Sequence, residues 1–469
     1  MNRNAKALKS GFWYLFANFL VRGMALIATP IFTRLLTKDE FGDYSNFISW
    51  TNIAIILITM RMESSLISAK FDYKDNLERY NLSALGLTAV MTAVWTLVIN
   101  IFSGFFTELI GIRIVFVNLM LLYCFFHAVV NFFQLTERYR YEYKKTVFIS
   151  ILIAVSSLLT AVLMVLNMKD RLAGRIIGEL LPTFIIGFVL LVYYIRRGKR
   201  IDISTWPYVL KICLPFVPHL LSLQVLNSMD RILITKICGP ADNALFSVAY
   251  TCGHMVILLM TSLNGAFSPW LGDNLHEEKY EQIKKVTRYY TLIFGAVAVL
   301  LILLAPEILL IMGGKSYLAA KYVMPPVAMG CVCQFVYSLF VNVEQFKKRT
   351  IGMAIASVLA AGANYVLNII FIPKYGYIAA AYTTLASYFL LMLMHLYLVK
   401  RIGYSHVFDH RFLALFIAVM MAVTLLINLI YDHSIARFAV IGAFMLVGAF
   451  FVWKKREPLL QVLRLLKKK

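Results

Sequence analysis

Four arginines stand within or at the ends of long apolar runs: Arg22, Arg61, Arg175 and Arg231. A cation at the centre of a hydrocarbon layer costs about 2.5–3.5 kcal/mol on insertion scales, so each must meet an anion or a water-filled cavity. A guanidinium offers a planar fork of donors that suits the oxygens of phosphate or carboxylate. Arg22 lies midway along the run 11–32, and either contacts an anionic ligand there or pairs with an acidic residue of a neighbouring span. Arg61, where the second run ends, either meets an anionic headgroup or snorkels at the boundary. Glu63 follows two positions later and, on a continuous helix, points to a different face. Arg175 and Glu179 are four apart and can satisfy each other within one helix. In the pair Asp230-Arg231, Arg231 is a further candidate cation for the ligand. Asp230, with Glu179, is a candidate carboxylate for coupling to Na+ or H+; the alternative is that Asp230 is only the partner of Arg231.

Neutral polar residues form two stripes. Tyr123, His127, Asn131 and Gln134 recur at steps of four, four and three on an otherwise apolar helix, and Asn364 and Asn368 repeat the step of four. Such a stripe either bonds helix to helix or walls an aqueous cleft suited to a sugar. A histidine ordinarily titrates near neutrality, so His127 and His254 are either proton relays or packed core residues. Enzyme patterns are incomplete. Gly314-Lys315-Ser316 looks like the end of a phosphate loop, but Leu309 occupies the first glycine's place, and His276-Glu277 lacks the second histidine of a zinc-protease helix. The six cysteines form no CxxC pair. We expect no catalytic activity, no metal and no cofactor.

The elements that carry these residues are membrane spans. Of 469 residues, 61% are hydrophobic and only 15% charged, and the mean hydropathy is +0.75, values outside the soluble globular range. Spanning about 30 Å of hydrocarbon takes roughly 20 helical residues. A window of about 19 residues predicts spans at 11–32, 44–60, 82–106, 114–135, 146–166, 172–195, 212–235, 244–270, 289–312, 323–343, 350–372, 378–399, 412–431 and 438–453. With the basic N-terminal tail inside, the inner loops and two tails hold 32 of the 46 Lys and Arg, and the outer loops 10. That bias predicts both termini on the cytoplasmic side. The net charge of +22 is spread over short loops, so no nucleic-acid partner is expected. Pro215 and Pro218 are expected to break the seventh span near one end.

A shift of 202 residues pairs Leu8-Lys9 with Leu210-Lys211, Ile31 with Leu233, Thr33 with Thr235, Arg34 with Lys236, Tyr44 with Phe246 and Ser45 with Ser247. The expected architecture is all-α: about 14 transmembrane helices, arranged as two six-helix bundles around a central cavity with two extra C-terminal helices. The corresponding divisions are 1–200, 201–403, helices 13 and 14 in 404–453, and a basic cytoplasmic tail at 454–469.

The stretch Pro30-Ile31-Phe32-Thr33-Arg34-Leu35-Leu36-Thr37-Lys38-Asp39-Glu40-Phe41-Gly42-Asp43-Tyr44 resembles the opening of the Wzx-type polysaccharide flippases. Its sharpest part is TRLL-x-x-x-EFG-x-Y at 33–44. These flippases belong to the multidrug/oligosaccharidyl-lipid/polysaccharide exporter superfamily, with the lipid II flippase and the MATE drug exporters. The resemblance implies alternating-access translocation of an undecaprenyl-pyrophosphate-linked oligosaccharide, from the inner to the outer leaflet of a bacterial cell membrane, for O-antigen, capsule or exopolysaccharide synthesis. It also implies membrane lipids and polysaccharide polymerase machinery as partners, and a cationic cavity to which Arg22 and Arg61 contribute. A MATE-like multidrug/cation antiporter is the alternative; it needs buried acids, for which Asp230, Glu179 and Glu307 are available.

Overall fold

The structure, a computed structural model, describes residues 20–454 apart from Arg22, Ala25 and Tyr141. Arg22 and most of the C-terminal tail therefore lie outside the described residues. Every regular element among the described residues is helical. Among the described residues eleven helices are long and apolar enough to cross a membrane, or twelve when Lys38–Thr59 and Met62–Asp72, bent by 48°, are taken as one broken span. These correspond in sequence to the second to thirteenth expected spans. At the places of the first and last stand shorter apolar helices, Leu26–Leu35 and Ser434–Gly448, so fourteen full spans are not reached among the described residues.

The chain divides into two compact units, 1–244 and 245–469. Packing keeps residues 201–244 with the first unit. The reason is that α10 (Val217–Cys238) lies along α2 (Lys38–Thr59). The first unit begins with α1 (Leu26–Leu35). The start of α2 is set by its own chemistry: Thr37 Oγ1 accepts from the Glu40 backbone N–H at 3.2 Å, and Glu40 Oε2 accepts from the Thr37 N–H at 2.8 Å. This capping box satisfies two donors that a helix start leaves open. Gly42 follows because a Cβ there would stand 1.8 Å from the Pro240 carbonyl oxygen, and Asn243 Nδ2 donates to Gly42 O at 2.9 Å.

After α2 come α3 (Leu66–Asp72), α4 (Leu77–Ile101) and α5 (Ser103–Ile110). Then follow α6 (Ile114–Tyr139), α7 (Tyr143–Asn167) and α8 (Arg171–Gly198). Small residues let α7 and α8 approach to backbone contact. Ser157 Oγ donates to Glu179 O at 2.9 Å and Thr160 Oγ1 to Gly178 O at 2.5 Å. A Cβ on Gly178 would stand 2.4 Å from the Ala161 Cα. Between α9 (Trp206–Cys213) and α10 a 3-10 turn, Leu214–Phe216, holds Pro215, while Pro218 falls in the first turn of α10, where no N–H is needed. The proline pair thus breaks the span where expected.

Helix α11 (Pro240–Gly253) leads into the second unit. There α12 (Val256–His276), α13 (Tyr280–Leu303) and α14 (Ala305–Gly313) precede α15 (Met324–Phe346), which is buried along most of its length. Phe335 of α15 stacks on Phe294 of α13 at 4.4 Å between centroids. Helices α16 (Thr350–Tyr375), α17 (Tyr377–Arg401), α18 (His410–Ile430) and α19 (Ser434–Lys454) complete the unit.

The α7–α8 contact gives a direct test. Gly178→Ala should destabilise by about 1–3 kcal/mol, because backbone atoms cannot move aside as a side chain can. Gly362→Ala, on α16 with open space at its Cβ, should be neutral or slightly stabilising. Thermal midpoints of the two purified variants in detergent check the contrast.

Candidate functional site

A cavity of about 520 Å³ opens inside the first unit among α2, α6, α8 and α10. From α2 come Ile48, Thr51, Asn52, Ile55 and Ile56, and from α10 Leu220, Leu223, Gln224 and Asn227. Both sets advance by three- and four-residue steps, the spacing of one helix face. Helix α6 adds Tyr123 and His127, α8 adds Glu179 and Leu180, and Arg61 stands at the end of α2.

Arg61 faces the cavity because the helix ends just before it. Met60 and Arg61 both take left-handed backbone, with φ of 47° and 50°, a conformation that non-glycine residues adopt at a cost and that clusters at functional sites. Across this turn Arg61 Nε comes within 3.2 Å of Glu63 Oε1. The expectation that the two side chains face apart fails, since it assumed an unbroken helix. The Arg61 side chain is 40% exposed and that of Glu63 only 5%. Neither Glu63 oxygen accepts a hydrogen bond of ordinary geometry, and the Asn131 amide lies beside it.

Arg175 and Glu179 pair as their spacing predicted, at 2.5 Å. The sequence did not reveal what else holds Arg175: its Nη2 donates to Tyr44 OH at 2.7 Å, and the guanidinium lies over the rings of Phe32 and Tyr44 at 3.8 and 4.0 Å. Glu179 thus lines the cavity with a buried cation at its back.

The stripe on α6 divides. Tyr123 and His127 line the cavity, their rings 5.5 Å apart, and Asn131 Nδ2 stands 3.2 Å from His127 Nδ1. Gln134 turns to α7, donating to Ser150 Oγ at 3.0 Å. Asn364 and Asn368 are fully buried between α16 and α17. Asn364 donates to Thr384 Oγ1 at 3.3 Å, Asn368 to Asn364 Oδ1 at 3.1 Å, and the Thr383 hydroxyl to Asn368 Oδ1. Of the two readings, glue or cleft wall, these bonds are the glue. Arg231 Nη1 turns back to Asn227 O on its own helix at 3.1 Å, and Asp230 beside it is buried. Neither is among the residues lining the cavity. His254 stacks on Tyr250 at 5.1 Å.

Sequence reasoning passed over Thr51, Asn52, Gln224 and Asn227 as single polar residues in apolar runs; the step of three from Gln224 to Asn227 was the available signal. It also passed over two buried polar contacts of the second unit. Glu344 and His395 meet at 2.8 Å between α15 and α17, both almost completely buried. Arg437 grips Glu307 through both terminal nitrogens, one at 2.6 Å, which occupies one of the acids named above for the cation-antiport alternative.

Residues 7–275 match the family model described as polysaccharide biosynthesis protein. The chain belongs to that family. A second model, MatE, matches residues 215–370. An uncharacterised membrane protein of Methanocaldococcus jannaschii is 21% identical over 460 residues, covering 88% of this chain and 87% of its own. Among solved structures, the lipid II flippase MurJ in an inward closed conformation superposes with a TM-score of 0.73 at 17% identity, covering 95% of this chain and 99% of MurJ. An inward-facing multidrug resistance MATE transporter of the MOP superfamily gives 0.67 at 12% identity, covering 83% and 95%. The chain is thus a multi-pass membrane protein that shares its fold with these flippase and transporter structures.

The buried pair behind the cavity gives the second test. Arg175→Ala should lower the thermal midpoint by an amount equivalent to about 1–3 kcal/mol, the cost of losing charge-assisted bonds and leaving a partner unmatched. Arg175→Ala with Glu179→Gln should recover part of that loss. Equal midpoints for the single and double variants would mean that Glu179 is not what Arg175 neutralises.

Proposed function

We propose that this chain flips an undecaprenyl-pyrophosphate-linked oligosaccharide repeat unit from the inner to the outer leaflet of the bacterial cytoplasmic membrane, by alternating access, for surface polysaccharide synthesis. The observation that carries this reading is the lining of the cavity. One exposed guanidinium, Arg61, shares it with the amides of Asn52, Gln224 and Asn227 and the hydroxyls of Thr51 and Tyr123. A guanidinium fork suits pyrophosphate oxygens, and amides and hydroxyls suit the donor-and-acceptor hydroxyls of a glycan. The volume, about 520 Å³, lies within the roughly 300–1,000 Å³ of ligand pockets.

In this reading Arg61 and His127 contact the headgroup region, Asn131 positions His127, and Arg22 supplies a second cation from the first span. Arg231, Asn364 and Asn368 leave the ligand set, since the first turns back on its own helix and the other two bond helix to helix. Both termini face the cytoplasm, which puts the basic loops on that side. A pyrophosphate carries about two negative charges, each worth about 2.3 kcal/mol per 100 mV, so outward movement from a negative interior is downhill by about 4–5 kcal/mol per 100 mV. Membrane potential, or a Na+ or H+ gradient acting at Glu179 or Asp230, sets the direction. The polymerase machinery that consumes the flipped unit is the expected partner. Cation antiport of the MATE kind draws support from Glu179 in the cavity, but the exposed guanidinium of Arg61 shares that cavity and repels a cationic cargo.

Arg61→Ala should cut transport of the lipid-linked glycan by about 10- to 100-fold, the worth of a charge-assisted contact, with Arg61→Lys intermediate because it keeps charge but loses the fork. Leaflet transfer in proteoliposomes under an imposed potential, at matched protein levels, measures this. Wild-type transfer by Arg61→Ala would remove Arg61 from the site, and indifference to both potential and ion gradients would remove the proposed energetics.

A further inference from the structure

Arg61 is shared between two environments. On one side it lines the cavity, and on the other it faces the buried carboxylate of Glu63 at 3.2 Å. Arg61 is the cation that acts on Glu63, and the Asn131 amide and the Glu63 backbone N–H approach its oxygens more weakly. The elements packed around it bring few other charges. Helix α6 presents His127 and Asn131, and α9 presents Cys213, whose Sγ lies 3.8 Å from Arg61 O. Helix α4 presents Tyr80, which donates to Ser65 Oγ at 2.6 Å. On α3, Lys70 sits over the ring of Tyr139 and Asp72 accepts from Tyr208 OH.

A carboxylate in dry surroundings stays ionised only while a cation holds it, and otherwise favours its neutral form. An anion entering the cavity draws on the same guanidinium. Building on the flippase reading above, we infer that Glu63 is a proton-binding site linked to occupancy of the cavity: ionised and holding Arg61 when the cavity is empty, and protonated when a pyrophosphate takes Arg61 over. One proton then moves from solvent onto a Glu63 oxygen for each headgroup bound, and leaves when the headgroup leaves. Because linkage is reciprocal, a proton on Glu63 must raise affinity for the anion by the same factor that the anion raises affinity for the proton. The left-handed pair Met60-Arg61 makes this sharing possible, since it brings a residue two positions away into the guanidinium's reach.

UDP-glucose is a soluble probe whose pyrophosphate diester keeps its charge across the neutral range. Its binding to the full-length protein in lipid nanodiscs is measured by calorimetry at several pH values, in buffers of different ionisation enthalpy so that protons are counted. For the wild type we expect affinity to rise as pH falls, by up to about tenfold per pH unit for one linked proton, with proton uptake on binding. Glu63→Gln should bind tightly at every pH with no uptake, Glu63→Asp should keep the linkage, and His127→Gln should keep the pH slope. The inference is overturned if Glu63→Gln keeps the wild-type slope, if Glu63→Gln loses binding at every pH while Glu63→Asp binds without uptake, or if His127→Gln abolishes the slope. Binding that Arg61→Ala abolishes but that takes up no proton refutes the role of Glu63 and leaves the flippase reading standing. No binding of the diester by the wild type refutes both.

Discussion

A guanidinium among apolar helices persists only where an anion or an aromatic face meets it, and the first unit is organised around two such matches. Arg175 of α8 is held by Glu179 on its own helix, by the hydroxyl and ring of Tyr44 on α2, and by the ring of Phe32 on α1. Arg61, at the other end of α2, is held by Glu63. Tyr44 and Arg61 lie seventeen positions apart, about 26 Å along a helix. The cavity face of α2, from Ile48 to Ile56, lies between them. Charge compensation at two points thus pins the helix that forms one cavity wall, and leaves one of the two cations exposed within it.

The block at 33–44 that carries the family resemblance is explained by the same helix. Thr37 and Glu40 cap its start, Gly42 admits the chain at Pro240, and Tyr44 reaches Arg175. These residues build the wall and do not line the cavity. The residues that carry the resemblance therefore position the wall, while other residues of the same helix line the cavity. Close packing of α7 on α8 through Gly178 and Ala161 serves the same end, since α8 brings Glu179 and Leu180 to the cavity.

Within-helix relations were legible wherever the helix was continuous. Arg175 and Glu179 pair at a spacing of four, Tyr123 and His127 share a face, and Pro215 and Pro218 interrupt their span. The same rule failed at Arg61 and Glu63, because two left-handed residues end the helix between the apolar run and the carboxylate. Nothing in the types of Met60 and Arg61 announces that turn. Asn364 and Asn368 looked the same as a cleft wall in sequence; only the hydroxyls of Thr383 and Thr384 across the interface decide that they are glue.

The sequence by itself determined that the chain is a bundle of membrane helices and where most of those helices run. Those properties follow from the transfer of single residues between water and hydrocarbon, which depends on residue type and order alone. Tertiary structure decided which helices enclose a cavity, which polar side chains face it and which arginine stays exposed. Those depend on neighbours more than a hundred positions away, as with Tyr44 and Arg175, and on the backbone turning against its helical period at one point. Spacing along a chain carries no information about either.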